Sequence, residues 1–104
     1  MTATGRPNAV LVIRPARGAA RRIVLSDGSV RIGRGAASSL VLDDPYVSTL
    51  HAEIVPERGG HAVRDLGSTN GTSLNGQLLA PEVPAPLGDG DELQLGSHRL
   101  QRVL

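Results

Sequence analysis

The sequence contains no cysteine, and this absence removes several kinds of chemistry at once. Without a thiol, the chain forms no disulfide, holds no metal through thiolates and has no cysteine nucleophile. The three histidines, His51, His61 and His98, do not have the spacing of metal ligands. We therefore expect neither a metal nor a cofactor.

Aromatic residues and long apolar runs are also scarce. There is no Phe or Trp, and Tyr46 is the one Tyr, so the 39% of hydrophobic residues must build an aliphatic core. A formal net charge of +1 without stacking aromatics gives no reason to expect nucleic-acid binding. No apolar run approaches the roughly 20 residues of a membrane span, and no signal peptide is visible. We expect a cytoplasmic protein without membrane insertion.

Short apolar segments separated by turn residues follow one another from position 9 onward. The 13 Gly and 7 Pro fall mostly between these segments. No stretch has the i, i+3, i+4, i+7 spacing of an amphipathic helix. This pattern predicts an all-β sandwich or barrel, with residues 1–8 as a flexible tail and residues 9–104 as one domain.

Turn signals between the apolar segments predict four hairpins. The predicted hairpins cover residues 21–34, 51–66, 72–79 and 92–104. The irregular segment 80–91 contains three prolines, which favours a crossover loop or an edge strand.

Enzymatic readings of the sequence are weak. Ser48, His51 and Asp65 are the residue types of a hydrolase triad, but geometry rather than composition defines a triad. The chain has no G-x-S-x-G nucleophile elbow, and Ser48 and His51 would project to opposite faces of an extended segment. We expect no catalytic residue, and we expect that the protein is not an enzyme.

Binding residues are easier to find. Arg34 lies where a strand meets a loop, and its planar guanidinium can meet an anion there. Ser48 follows a turn-rich segment, and residues 68–70 place two hydroxyls and an amide on one tight loop. Such a loop suits a phosphate oxygen, although each residue taken singly is also ordinary loop chemistry.

Taken in chain order, four motifs form a recognisable series. Gly33-Arg34 is followed by Ser48-x-x-His51, by "DLGSTNGT" at residues 65–72 and by Asn75-Gly76. This series resembles the forkhead-associated (FHA) domain family, and the resemblance covers nearly the whole chain. It implies a β-sandwich of about eleven strands in two twisted sheets. It also implies that loops at one end of the sandwich bind a phosphothreonine peptide.

The resemblance implies a role for each matching residue. Residues that would contact the phosphate are Arg34, Ser48 and Thr69, and Asn70 would bond to the peptide main chain. Residues that would shape the loops are Gly33, His51, Gly71 and Asn75. For Asn75, a role in orienting the loop and a role only in the hairpin turn both stay open. The implied partner is a phosphothreonine-containing protein of Ser/Thr kinase signalling, either a kinase or a kinase substrate.

Two positions bear on ligand specificity. Many family members have arginine directly after the motif serine, where this chain has Thr49. The lost charge implies weaker binding or a less acidic ligand, and it keeps open a scaffold domain that binds an unphosphorylated partner. Tyr46 either contacts the ligand beyond the phosphate or packs against Pro45. The chain ends where a last strand would end, as expected of a module from a longer protein.

Overall fold

The computed structural model describes residues 9–103, so the tail predicted at residues 1–8 and the final Leu104 lie outside the described residues. Residues 9–103 form 11 strands and contain no helix, and hence no helix that could cross a membrane. The strands are β1 (Ala9–Arg14), β2 (Arg21–Leu25), β3 (Val30–Gly33), β4 (Leu40–Val41), β5 (Ala52–Glu57), β6 (Gly60–Asp65), β7 (Ser73–Leu74), β8 (Gln77–Leu78), β9 (Ala85–Leu87), β10 (Glu92–Leu95) and β11 (His98–Val103).

The strands form two sheets that pack against each other. The first sheet has six strands in the order β2-β1-β11-β10-β7-β8, and the second has five in the order β4-β3-β5-β6-β9. All neighbouring pairs are antiparallel except β3 and β4. This architecture confirms the predicted sandwich of about eleven strands.

Three of the four predicted hairpins are present, because their turn residues fit tight reversals. They are β5–β6, β7–β8 and β10–β11. The β7–β8 turn is Asn75-Gly76, where both residues have positive φ, 50° and 85°, as a two-residue turn of the favoured hand requires. The proline-rich segment 80–91 contains β9, which lies at the edge of the second sheet beside β6.

The hairpin predicted at residues 21–34 is wrong. β2 pairs with β1 in the first sheet, whereas β3 pairs with β4 and β5 in the second. The turn at residues 26–29 therefore carries the chain from one sheet to the other. Turn chemistry encodes the reversal of the chain, but it does not encode the sheet that the next strand joins.

The core is aliphatic, as the composition requires. Strands with one face toward the core alternate in burial, as in β11, where His98, Leu100 and Arg102 are buried and their neighbours less so. Leu11, Ile13, Leu25, Leu93 and Leu100 from the first sheet, with Ile32, Ile54, Val63 and Leu87 from the second, lie in one buried cluster. Each such side chain stabilises the fold by about 1.5–3 kcal/mol through removal from water.

Antiparallel pairing places several loops at the same end of the sandwich, which we call the loop end. They are the β1–β2, β3–β4, β4–β5 and β6–β7 loops and the β10–β11 turn. Arg14 at the end of β1 lies opposite Arg99 at the start of β11, which fixes the β1–β2 loop at this end. The predicted site residues therefore share one end of the molecule.

The end of β3 and the β3–β4 loop approach the β4–β5 loop closely at two glycines, Gly33 and Gly35. A Cβ on Gly33 would lie 2.2 Å from the carbonyl oxygen of Thr49, and a Cβ on Gly35 would lie 2.6 Å from Thr49 Cγ2. Neither glycine has positive φ. Gly33 is needed for this close approach and not for its backbone angles.

We predict that Gly33→Ala destabilises the protein by at least about 2 kcal/mol, because its methyl group would overlap a backbone carbonyl. Gly28→Ala is the matched control, since a Cβ there meets nothing within 4 Å and no positive φ is involved. Thermal denaturation measures both. Equal melting temperatures for the two variants would contradict the close packing of these loops.

Candidate functional site

Ser48 lies at the centre of the loop end and contacts both neighbouring loops. Its carbonyl oxygen accepts a hydrogen bond from the Arg34 N–H at 2.9 Å. Its Oγ accepts one from the Thr69 N–H at 3.0 Å. The three residues assigned to the phosphate therefore come together, although they are far apart in the chain.

The polar groups of these three residues remain available to a ligand. Arg34 is exposed, and its guanidinium makes no hydrogen bond or ion pair to residues 9–103. A hydroxyl has one donor and two acceptor sites, so Ser48 Oγ can still donate its proton while it accepts from Thr69. Thr69 is exposed as well. A guanidinium and two hydroxyls can thus donate to one anion.

His51 joins two loops through both of its ring nitrogens. It is 0% exposed. The Ser48 N–H donates to Nδ1 at 3.0 Å, and Nε2 lies 2.9 Å from the carbonyl oxygen of Gly71. Nδ1 is therefore the acceptor, and the ring proton lies on Nε2, which donates to Gly71.

This arrangement leaves no Ser-His-Asp triad at these positions. Both nitrogens of His51 are engaged with main-chain groups, whereas the Ser48 hydroxyl contacts Thr69. The Asp65 carboxylate bonds to its own loop instead. A hydrolase triad needs the serine hydroxyl and the carboxylate on the two sides of one imidazole.

Asn70 extends the site toward Tyr46. Its Nδ2 donates to the carbonyl oxygen of Tyr46 at 2.9 Å, which leaves Oδ1 as the side-chain atom that can accept from a ligand. Tyr46 is 61% exposed, so its ring is open to solvent. Beside them lies an open depression of about 390 Å³, whose walls include Tyr46, Asn70, Ser73, Gln94 and Ser97.

The buried carboxylate of Asp65 holds the β6–β7 loop in place. Its Oδ2 accepts from the N–H groups of Gly67 and Ser68, and its Oδ1 accepts from the hydroxyls of Ser68 and Thr72. Burial acts to raise the pKa of Asp65, but these hydrogen bonds outweigh burial and lower the pKa below its ordinary value of 3.8. The loop that carries Thr69 and Asn70 is therefore built around a buried carboxylate.

Asp44 does the same for the β4–β5 loop, although it belongs to none of the four sequence motifs. Its carboxylate accepts from the N–H groups of Tyr46 and Ser97 and from Nδ1 of His98. Burial acts to raise the pKa of Asp44, but the hydrogen bonds from Ser97, Tyr46 and His98 lower it overall. The bond to Tyr46 is an Asx-turn that the Asp-Pro pair could have signalled, whereas His98 lies 54 positions away.

Asn75 both forms the β7–β8 turn and anchors that turn. Its Nδ2 donates to Asp91 Oδ1 at 3.0 Å, and its Oδ1 accepts from the Glu92 N–H at 2.9 Å. The bond from Asn75 is the main reason that the pKa of Asp91 is lowered. These contacts join the β7–β8 turn to Asp91 and to the start of β10, and none of them reaches the loops that carry Arg34 and Ser48.

Gly71 and Thr49 have packing roles. Gly71 has a φ of 84°, and a Cβ there would lie 2.5 Å from Leu78 Cδ1. Thr49, at the position where many family members have arginine, has its methyl group against Gly35 and accepts the Gly35 N–H at 3.0 Å. Position 49 therefore contributes no guanidinium to the Ser48 loop.

The fold and site define a family, and sequence comparison identifies it. The FHA domain model matches residues 30–96, and this chain belongs to the FHA domain family. A solved structure from a study of phosphothreonine-dependent FHA domain interactions has a TM-score of 0.83 and 32% identity. The match covers 94% of this chain and 97% of the chain in that structure.

Two mycobacterial proteins are similar to this chain. The glycogen accumulation regulator GarA of Mycolicibacterium smegmatis is 40% identical over 89% of this chain, which spans 57% of GarA. EmbR of Mycobacterium tuberculosis, solved in complex with a low-affinity phosphopeptide, has 30% identity and a TM-score of 0.80. Its match covers 92% of this chain and 24% of EmbR. The chain thus spans little more than half of the curated relative and a quarter of EmbR.

We predict that Asp65→Asn lowers the free energy of unfolding at neutral pH by about 1–3 kcal/mol, since an amide cannot accept all four hydrogen bonds. The pKa of Asp65 is lowered on folding, so its stabilising effect is complete above pH 3.8 and is lost as pH falls through the folded-state pKa. The variant should therefore lose less stability than the wild type as pH falls from neutral to below 3.8.

Urea denaturation at a series of pH values measures this difference. Asp27→Asn, which removes an exposed carboxylate in the β2–β3 turn, is the control and should follow the wild type. If the curves of wild type and Asp65→Asn run parallel from neutral to acid pH, the buried carboxylate does not stabilise the loop.

Proposed function

We propose that this chain is a phosphothreonine-dependent protein-binding module in Ser/Thr kinase signalling. The observation that carries the proposal is the meeting of Arg34, Ser48 and Thr69 at the loop end, with Ser48 hydrogen-bonded to the other two. In this proposal Arg34, Ser48 and Thr69 bind the phosphate, and Asn70 accepts a main-chain N–H of the ligand. The similarity to FHA structures studied with phosphothreonine or phosphopeptide ligands supports it.

The chemistry of the ligand suits these groups. A phosphothreonine carries about −1.5 to −2 charges at neutral pH and three acceptor oxygens. Each charge-assisted hydrogen bond contributes about 1.5–3 kcal/mol. Three of them, at the upper end of that range and on loops already held in place, give a binding free energy near −8 kcal/mol, which corresponds to a dissociation constant of about 1 μM.

The proposal describes a binding module and not an enzyme. His51 acts as a tie between two loops, because both of its nitrogens are engaged with main-chain groups. The partner is a phosphothreonine-containing protein, a kinase or a kinase substrate, and the proposed location is the cytoplasm. Binding needs no metal or cofactor in this scheme, because all phosphate donors come from side chains.

We predict that Arg34→Ala and Ser48→Ala each weaken binding of a phosphothreonine peptide by at least about ten-fold, since each removes a charge-assisted hydrogen bond. Stability should change by less than about 1 kcal/mol, because both side chains contact solvent. Calorimetric titration with a peptide chosen from a phosphopeptide library gives the affinities. Arg58→Ala, an exposed arginine in the β5–β6 turn at the opposite end, is the matched control and should bind as the wild type does.

Arg34→Lys refines this test. Lysine keeps the charge but loses the planar two-pronged donor, so its affinity should fall between those of the wild type and Arg34→Ala. Undiminished affinity in both Arg34→Ala and Ser48→Ala would reject the proposed phosphate site.

A second function is a scaffold domain that binds an unphosphorylated partner, and Thr49 is the observation that favours it. The threonine leaves the Ser48 loop without the charge that an arginine would add. Phosphatase treatment of a captured partner separates the two functions. If the complex survives dephosphorylation unchanged, the scaffold function replaces the phosphothreonine-dependent one.

A further inference from the structure

The net charge of +1 conceals a polarised charge distribution. Arg14, Arg17, Arg21, Arg34 and Arg99 lie at the loop end, where Asp43, Asp44, Asp65 and Glu82 also lie. Asp27, Glu57, Asp89, Asp91 and Glu92 lie at the opposite end, together with Arg58 and Arg102. Asp44 and Asp65 are buried, so exposed arginines outnumber exposed carboxylates at the loop end and can attract acidic molecules.

The register of the first sheet continues this basic surface away from the phosphate site. Residues opposite each other on neighbouring strands share a face, and Ile13 and Leu100 face the core. The next residues along, Arg14 and Arg99, are therefore directly opposite each other on the outer face. Gln94 is the partner of Arg99 on that face, and Ser73 is the partner of Gln94.

The outer-face row of Arg14, Arg99, Gln94 and Ser73 connects the two arginines to the candidate site. Ser73 and Gln94 are walls of the depression beside Tyr46 and Asn70. Neighbouring strands lie about 4.8 Å apart, so Arg99 is one strand beyond the depression and Arg14 is two, about 10 Å in all. An extended peptide covers that distance in about three residues.

The two arginines are not explained by the fold itself. Like charges directly opposite each other on a sheet cost free energy. Among residues 9–103 no ion pair involves Arg14 or Arg99. Glu92 shares the outer face but lies two residues along β10 from Gln94, toward the acidic end. The row is thus a pair of cations that lacks an acidic partner among the described residues.

We propose that Arg14 and Arg99 form a second contact surface for an acidic segment of the phosphorylated partner. The segment flanks the phosphothreonine, passes over the depression beside Asn70 and places carboxylates on the two guanidinium groups. This proposal rests on the proposed function. It also revises the expectation from Thr49 of a less acidic ligand, because the charge absent at Thr49 is supplied from the sheet.

The test uses the full chain and synthetic phosphothreonine peptides. Two peptides carry four Glu residues, after or before the phosphothreonine, each separated from it by a three-residue neutral spacer, and two matched peptides carry Gln instead. We expect at least one Glu peptide to bind the wild type about five-fold more tightly than its Gln counterpart at low salt. The advantage should shrink between about 0.05 and 0.5 M salt, because these charges are exposed.

Variants locate the effect. The double variant Arg14→Gln with Arg99→Gln should lose the preference for Glu and keep the wild-type affinity for the Gln peptide. The double Lys variant should retain most of the preference, and Arg58→Gln, at the opposite end, should retain all of it. Thermal denaturation confirms that each variant is folded.

Four results would overturn the proposal, and they are distinguishable. Equal affinity of Glu and Gln peptides for the wild type rejects the acidic segment but leaves the proposed function intact. A preference that survives in the double Gln variant places the contact elsewhere. Absence of binding by every phosphopeptide contradicts the proposed function and this surface with it. Binding of duplex DNA that the double Gln variant loses, without any preference for Glu peptides, assigns the surface to nucleic acid instead.

Discussion

The candidate site depends on one fully buried side chain. The buried ring of His51 accepts the N–H of Ser48 on one side and donates to the carbonyl of Gly71 on the other. These two bonds fix the β4–β5 loop against the β6–β7 loop. Because a buried imidazole with both nitrogens satisfied resists rotation, the distance between the Ser48 hydroxyl and the Thr69 loop is set before any ligand arrives.

Two buried carboxylates also hold these two loops in place through hydrogen bonds. Asp65 holds the β6–β7 loop, and Asp44 holds the β4–β5 loop against the β10–β11 turn. The close contact of Gly33 with Thr49 adds the β3–β4 loop, which carries Arg34. A site whose loops are already ordered spends little of its binding free energy on ordering them. Two or three contacts to a phosphate are then enough for specific recognition in the proposed function.

Local sequence signals predicted most of the fold and part of the site. Turn residues such as Asn75-Gly76 and apolar segments gave the strands and three hairpins, because both effects act over a few residues. The sheet change between β2 and β3 was missed because it depends on which strands pair far away. The contact of Asp44 with His98 spans 54 positions, and the Arg14–Arg99 pair exists only through the register of two strands. The net charge of +1 gives no indication of that pair.

The proposed function requires that the loops carrying Arg34, Ser48 and Thr69 recognise a phosphate. An NMR titration of the wild-type protein with a phosphothreonine peptide, and separately with its unphosphorylated counterpart, tests it most directly. If these loops bind the phosphate, amide signals of residues 34–35, 46–49 and 68–71 shift with the phosphopeptide and stay in place with the unphosphorylated one. Equal shifts with both peptides, or shifts from the phosphopeptide that leave these loops unaffected, would contradict it.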